Sequence, residues 1–262
     1  MTHSLLEHLH KLNKELKIGI NFSKDKNKQY LLLEQAIAAL GRFIINENNS
    51  LKYNSLASVK GVQVLSRNIL KNATKALGVL EKLQAEKYLR NENNCYLYGE
   101  ALYKNLEKEY AYYKGNGLQK ILFIGSGAMP ITAFYLASHK NAKITCMDID
   151  PEALLLARAV SKKLGINNIE FVSSLGGINI SKYTHIILAS LITKKEQLAK
   201  KLENAINANA QLIIRYGSGI KELFNHTLSQ EFLDRQEIQL ITTVDTLYNI
   251  ALLKKGFSNE QT

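Results

Sequence analysis

Tryptophan is absent from this chain, and only two cysteines and two prolines occur among its 262 residues. Cys95 and Cys146 have no metal-ligand spacing and offer no disulfide framework, so both read as reduced thiols in a cytoplasmic protein. No apolar run approaches the roughly 20 residues that a membrane span requires. The polar, amphipathic start from Met1 to His8 is not the pattern of a secretion signal. His3, His8 and His10 match no metal spacing, and no metal is expected. An Arg-rich stripe is also missing. The formal charge is +11, from 34 Lys and Arg against 23 Asp and Glu. It divides as 18 − 11 = +7 for residues 1–116 and 16 − 12 = +4 for residues 117–262. The surplus is spread as single lysines beside Glu or Asn, whereas a nucleic-acid surface needs concentrated charge. Neither nucleic acid nor membrane is expected as a partner; a small acidic substrate or cofactor is compatible.

Two periodicities divide the chain. Before Lys114 the pattern is helical: Leu33, Ala36, Ile37, Leu40 and Ile44 share one helix face, as do Leu70, Ala73, Leu77 and Leu80 in a long segment over 62–90. Leu102, Leu106, Tyr110 and Tyr113 give another stripe. Residues 46–56 and 90–94, rich in Asn, read as loops. Lys114-Gly-Asn-Gly117 then punctuates the chain. Beyond it, short apolar strands at 119–124, 143–147, 168–172, 184–189 and 210–215 alternate with helical stretches at 129–139, 151–164 and 194–206. That alternation predicts a doubly wound, Rossmann-like α/β sheet over 117–262, preceded by an all-helical domain over 1–116. Two last runs, 237–243 and 248–254, fit an antiparallel pair at the sheet edge. The prolines support this reading, because Pro130 and Pro151 each fall where a helix would start just past a strand.

The segment Ile121-Leu-Phe-Ile-Gly-Ser-Gly-Ala-Met-Pro130 carries the most chemical information. An unbroken apolar run suits a strand buried in a parallel sheet. Gly125-Ser126-Gly127 then lets backbone approach a ligand where strand turns into helix. The next strand ends on Asp148 in Cys146-Met-Asp-Ile-Asp-Pro151, and a carboxylate there can accept both hydroxyls of a ribose. The pair reads as a nucleoside site formed by Gly125–Pro130, with Ala128 and Met129 inside it, and by Asp148, Ile149 and Asp150. Asp150, just before Pro151, has the competing role of helix N-cap. The missing third glycine favours S-adenosylmethionine over NAD, and no basic pair near Asp148 suits the 2′-phosphate of NADP. Ser190 and Leu191, ending the fourth strand, fall near the methionine part of such a cofactor. The third strand runs into Ser173-Ser174, with no acidic residue for the adenine.

Glu81 interrupts an apolar row. Its helical neighbours are Leu77, Gly78, Gln84 and Ala85, none of them a cation. Burial without a partner favours the protonated form of a carboxyl group, and such groups suit proton transfer. A Glu at the stripe edge reaching water or a distant Lys is the alternative. Tyrosines crowd the stretch from Tyr88 to Tyr113, and Tyr96 and Tyr98 stand where one of them can face a shared cavity. Arg215 ends the fifth strand, where open α/β sheets bind ligands; a salt bridge to a neighbouring helix competes with that role.

Four segments together resemble nicotianamine synthase and its bacterial relatives that make opine-type metallophores such as staphylopine, pseudopaline and yersinopine. They are Ile124–Pro130, Met147–Pro151, His185–Leu191 and Ile214-Arg-Tyr-Gly-Ser-Gly-Ile-Lys-Glu-Leu-Phe224. The similarity is strongest over about 119–225. It implies transfer of the 3-amino-3-carboxypropyl (aminobutyrate) group of S-adenosylmethionine to the α-amine of histidine, with release of 5′-methylthioadenosine. By the same resemblance Glu81 and Tyr98 line the reaction chamber, with Tyr96 or Tyr103 as alternatives to Tyr98, and Arg215 and Tyr216 anchor substrate groups. An opine dehydrogenase as downstream partner and a homodimer through the helical domain are also implied. The competing readings are an ordinary methyltransferase acting on RNA or a small molecule, and a nucleoside-binding module without turnover.

Overall fold

A computed structural model describes residues 2–92, 105–110, 112–113, 118–139, 141–242 and 245–254. Four helices open the chain: α1 (Thr2–Asn21), α2 (Lys26–Ile44), α3 (Glu47–Leu56) and α4 (Lys60–Leu89). Asp25 caps α2 through the backbone N–H groups of Asn27 and Lys28, which relieves donors that a helix start leaves unpaired. The expected stripe of Leu33, Ala36, Ile37, Leu40 and Ile44 is buried in the core of this bundle, together with Leu9, Leu16, Ile69, Ala73 and Leu80.

Residues 46–56, expected as a loop, instead form α3. Asn46 caps its start by accepting from the Asn49 backbone. Its single buried anchor is Tyr53, whose hydroxyl bonds Ser66 on α4 and donates to Glu222. A short helix with so little apolar surface is held by caps and long-range hydrogen bonds, which periodicity does not reveal.

The helical residues 105–110 (α5) follow, and then a seven-stranded sheet of order β3-β2-β1-β4-β5-β7-β6. Its strands are β1 (Gln119–Ile124), β2 (Ala142–Met147), β3 (Ile169–Val172), β4 (His185–Leu188), β5 (Gln211–Tyr216), β6 (Ile238–Ile241) and β7 (Asn249–Lys254). β1 to β5 pair in parallel, while β7 lies antiparallel to both β5 and β6. The expected Rossmann-like α/β architecture is therefore present, with an edge made by the last two strands. Helices α6 (Ile131–His139), α7 (Pro151–Lys163), α8 (Lys195–Ala205) and the short α9 (Gln230–Leu233) connect them. Alternate residues of β1 face opposite layers. Ile121 and Phe123 pack with α6, Leu106 and Tyr113, whereas Leu122 and Ile124 pack with α8 and Phe232.

Two contacts bring helices and sheet together. The one-turn helix Gly219–Leu223, just after β5, places Ile220, Leu223 and the following Phe224 in the core of the N-terminal bundle. Along α4, Ala85 packs with Ala128, Phe134 and Ala153. These small side chains let α4 cross close over the turn that follows β1.

Candidate active site

Strand order reverses beside β1, which pairs with β2 on one side and β4 on the other. Open α/β sheets bind ligands at such a switch point, outside the carboxyl ends of the strands. The turn after β1 lies there. Gly125 and Gly127 have φ of +79° and +71°, a region that other residues enter at a cost. A Cβ on Gly125 would lie 3.0 Å from both Ala189 Cβ and Ile192 Cγ1, so the turns after β1 and β4 approach closely. The backbone N–H groups of Gly125 and Ser126 donate to the Met147 carbonyl, tying this turn to the end of β2. Ser126 is buried, and its hydroxyl lies against the Cys146 thiol, whose ionisation burial disfavours. Ala128 and Pro130 are buried, Met129 is partly so, and Pro130 contributes the first carbonyl of α6, accepting from Phe134.

Asp148 occupies the end of β2 as expected. One carboxylate oxygen accepts from Gly127 N at 2.7 Å and the other from Asp150 N at 3.0 Å. Both oxygens are thus oriented and retain lone pairs for hydroxyl donors. Ile149 is 84% exposed, an apolar surface beside that carboxylate. Asp150 takes its expected competing role: it caps α7 by accepting from the Glu152 and Ala153 backbone. It also pairs with Lys82 of α4 at 2.7 Å, which holds its carboxyl below its ordinary range.

Glu81 reaches this turn from α4. A Cβ on Gly127 would fall 2.2 Å from Glu81 Oε2, so only glycine fits beneath the carboxyl group. The backbone N–H groups of Ala128 and Met129 donate to Glu81. Burial first, and the charge of Asp148 second, raise the Glu81 pKa from 4.5 to about 8 against the opposing pull of those two donors. Among the described residues no cation pairs with it. Tyr98, together with Tyr96 and Tyr103, lies outside the described residues.

Arg215 is brought close to this region but is not open to it. The salt bridge weighed as the alternative is the one observed: its guanidinium pairs with Glu109 of α5 at 3.0 Å, donates to Thr132 Oγ1 and stacks over Tyr248. Only 4% of Arg215 is exposed. Tyr216 is buried in the opposite layer of the sheet, among Leu228 and Phe232. The turn after β4 is held from below. Lys195, buried, donates to the carbonyls of Ser190 at 2.8 Å, Arg215 at 2.5 Å and His226 at 3.3 Å. Burial lowers its pKa to about 7. Leu191 beside it packs against the helical core.

Sequence reasoning missed Lys82, Glu109 and Lys195. Lys82 adjoins Glu81 and so had a signal, as a cation one residue away from the stripe. Glu109 and Lys195 had none, because Arg215 lies 106 residues from Glu109, and the Arg215 and His226 carbonyls lie 20 and 31 residues from Lys195. Among the described residues no cluster of His, Cys, Asp and Glu could hold a metal, and no helix is long and apolar enough to cross a membrane.

Comparison with known proteins places this geometry. Residues 56–256 match the family described as nicotianamine synthase protein. The L-histidine 2-aminobutanoyltransferase of Pseudomonas aeruginosa PAO1 is 27% identical over 255 residues, covering 96% of this chain and 97% of that protein. A Yersinia pestis protein of the same name is 37% identical over 108 residues, or 41% of each chain. In fold, the chain is similar to a crystal structure of MtNAS in complex with MTA and tNA, with a TM-score of 0.76 and 15% identity over 95% of this chain and 97% of that one.

Proposed function

Because the chain belongs to the nicotianamine synthase family, we propose that it transfers the aminobutyrate group of S-adenosylmethionine to the α-amine of histidine, releasing 5′-methylthioadenosine. The names of its relatives from Pseudomonas aeruginosa and Yersinia pestis support histidine as acceptor. One observation carries the reading. A carboxyl group from the helical part of the chain, Glu81, lies against the glycine turn of a nucleoside site. A proton acceptor there faces the reacting end of a bound nucleoside.

The turn fits the cofactor on its own geometry. Gly127, having no side chain, lets the Glu81 carboxyl lie on the turn, and Asp148 presents two oriented oxygens to ribose hydroxyls. Ile149 offers an apolar face to the base. When bound, S-adenosylmethionine supplies an electrophilic γ-carbon whose bond to the sulfonium sulfur breaks as methylthioadenosine departs. Glu81 takes up the proton that the acceptor amine loses as its nitrogen–carbon bond forms. Its carboxyl is protonated at neutral pH when no cation is near; a sulfonium brought beside it favours the carboxylate. Selection of the γ-carbon over the methyl carbon rests on alignment, since only one carbon can lie in line with the amine.

Tyr98 is assigned to position the amine or the aminobutyrate carboxylate. Ser190, held by Lys195, and the adjoining Leu191 are assigned to the methionine end. Arg215, closed off in its pair with Glu109, and Tyr216, in the opposite layer of the sheet, are not assigned to bind substrate. Helices α1–α4 act as a cap over the sheet domain, whose own core takes in α5. The product retains amine groups suited to reductive condensation with a 2-oxo acid, the chemistry of a cytoplasmic opine dehydrogenase. Incubation with S-adenosylmethionine and histidine is expected to yield methylthioadenosine and a 3-amino-3-carboxypropyl-histidine, read by mass spectrometry. S-adenosylhomocysteine as the sole nucleoside product would refute the reading.

A further inference from the structure

Gln84 is a buried amide with 6% of its surface exposed, and among the described residues its Oε1 meets no donor. Leaving an acceptor buried and unpaired is unfavourable, and such a group calls for an explanation. Its position supplies one. Gln84 lies three residues after Glu81 on α4, so the two side chains are neighbours on the helix surface. Side chains on a helix lean toward its N-terminus, which tilts the Gln84 amide over the turn that carries Glu81. The next residue, Ala85, is fully buried against Ala128 of the glycine turn. Glu81 and Gln84 are therefore neighbours on α4, one with its carboxyl group at the glycine turn and one with a neutral acceptor beside it.

An attacking primary amine needs two acceptors of this kind. It carries two N–H bonds and one lone pair in tetrahedral directions. If both N–H bonds are held, the lone pair has a single direction left.

We propose that Gln84 accepts one N–H of the acceptor amine while Glu81 accepts the other, and so aims the lone pair at the carbon under attack. Resting on the transfer reading above, this adds a substrate-positioning residue to it. Oε1 takes part in no proton transfer; it fixes orientation, where a small misalignment lowers the rate steeply.

The test uses the full-length enzyme and two variants, Gln84→Met, which keeps the volume and removes the acceptor, and Gln84→Glu, which keeps an acceptor oxygen. Methylthioadenosine release is followed against histidine concentration, S-adenosylmethionine affinity by calorimetry and folding by thermal melts. Gln84→Met is expected to lower kcat/KM for histidine about tenfold, the loss expected for one hydrogen bond to a buried amine. Its S-adenosylmethionine Kd should stay at the wild-type value and its melting temperature at or above the wild-type value, and Gln84→Glu should keep most of the activity. An unchanged kcat/KM in Gln84→Met would overturn the proposal. So would an equal loss in both variants, or a loss that follows cofactor affinity or stability, because a merely structural amide predicts those outcomes. If the wild-type enzyme releases no methylthioadenosine with histidine, the transfer reading itself has failed.

Discussion

Glu81 couples proton uptake to folding. Its pKa is 4.5 when exposed and about 8 in the folded chain, because burial and Asp148 both disfavour its charge. Between those values the folded state holds a proton that the unfolded state has lost. Stability contributed by this group is therefore complete below pH 4.5 and falls as pH rises through about 8. Glu81→Gln removes the titration and keeps the shape. Melts at pH 6 and pH 8.5 should show a shallower loss of stability in the variant than in the wild type, and calorimetry should show retained S-adenosylmethionine binding. Turnover should drop by about 100-fold or more, as when a positioned general base is removed. A variant with wild-type turnover would take Glu81 out of the chemistry.

Of the residues at this site, Gly125, Gly127, Asp148 and Glu81 were legible in the sequence because each breaks a local pattern. Glycines stand after an apolar strand, an acid ends a strand, and a carboxylate sits in a greasy row without an intrahelical cation. Arg215 was legible only as a charge at a strand end. Its partner Glu109 lies 106 residues away, and no local pattern records such a pair.

The position of α4 relative to α7 decides whether Glu81 reaches the glycine turn. Small residues set the approach, with Ala85 meeting Ala128 and Ala153, and charge fixes the register. Lys82 bridges Asp150 at 2.7 Å and Glu152 at 2.5 Å at the start of α7. At the other end, Lys163 of α7 donates to the Tyr88 and Leu89 carbonyls and to Asn91, which relieves acceptors that the end of α4 leaves unpaired. Each exposed pair contributes little stability, on the order of 0–1 kcal/mol. Their effect is positional. Lys82→Met is expected to change the melting temperature by only a few degrees while lowering S-adenosylmethionine affinity severalfold, since Asp150 and the adjoining Asp148 segment lose their anchor. Calorimetric titration checks it, and unchanged affinity would show that packing alone sets the register. Periodicity gave α4 to within two residues at its start, yet its contact with α7 had no sequence signal. The reverse holds for α3. Its ten residues carry one buried anchor, Tyr53, whose partner Glu222 lies 169 positions away, so the helix was read as loop.

Seen whole, the molecule has a helical core and sheet cores that share a segment of chain. Ile220, Leu223 and Phe224 belong by sequence to the turn after β5, yet they are buried among α1–α4. Glu222 in the same turn accepts from Tyr53, and Lys221 donates to Thr246 and Asn249 beside the sheet. One short turn is thus bonded into both parts. α5 belongs to the sheet side, where Glu109 holds Arg215 of β5 and accepts from Tyr248. Separation of the two parts would expose three large apolar side chains, each costing about 1.5–3 kcal/mol, and break the Tyr53–Glu222 hydrogen bond. The cap and the sheet should therefore unfold in one transition. Calorimetry of the whole chain is expected to give a single endotherm whose calorimetric and van't Hoff enthalpies agree. Phe224→Ala should lower stability by about 3–5 kcal/mol and, because the turn reaches both cores, shift that endotherm without splitting it. Two resolved transitions, with only the cap destabilised by the substitution, would mean that the helices fold independently of the sheet and that Glu81 is delivered by docking rather than by folding.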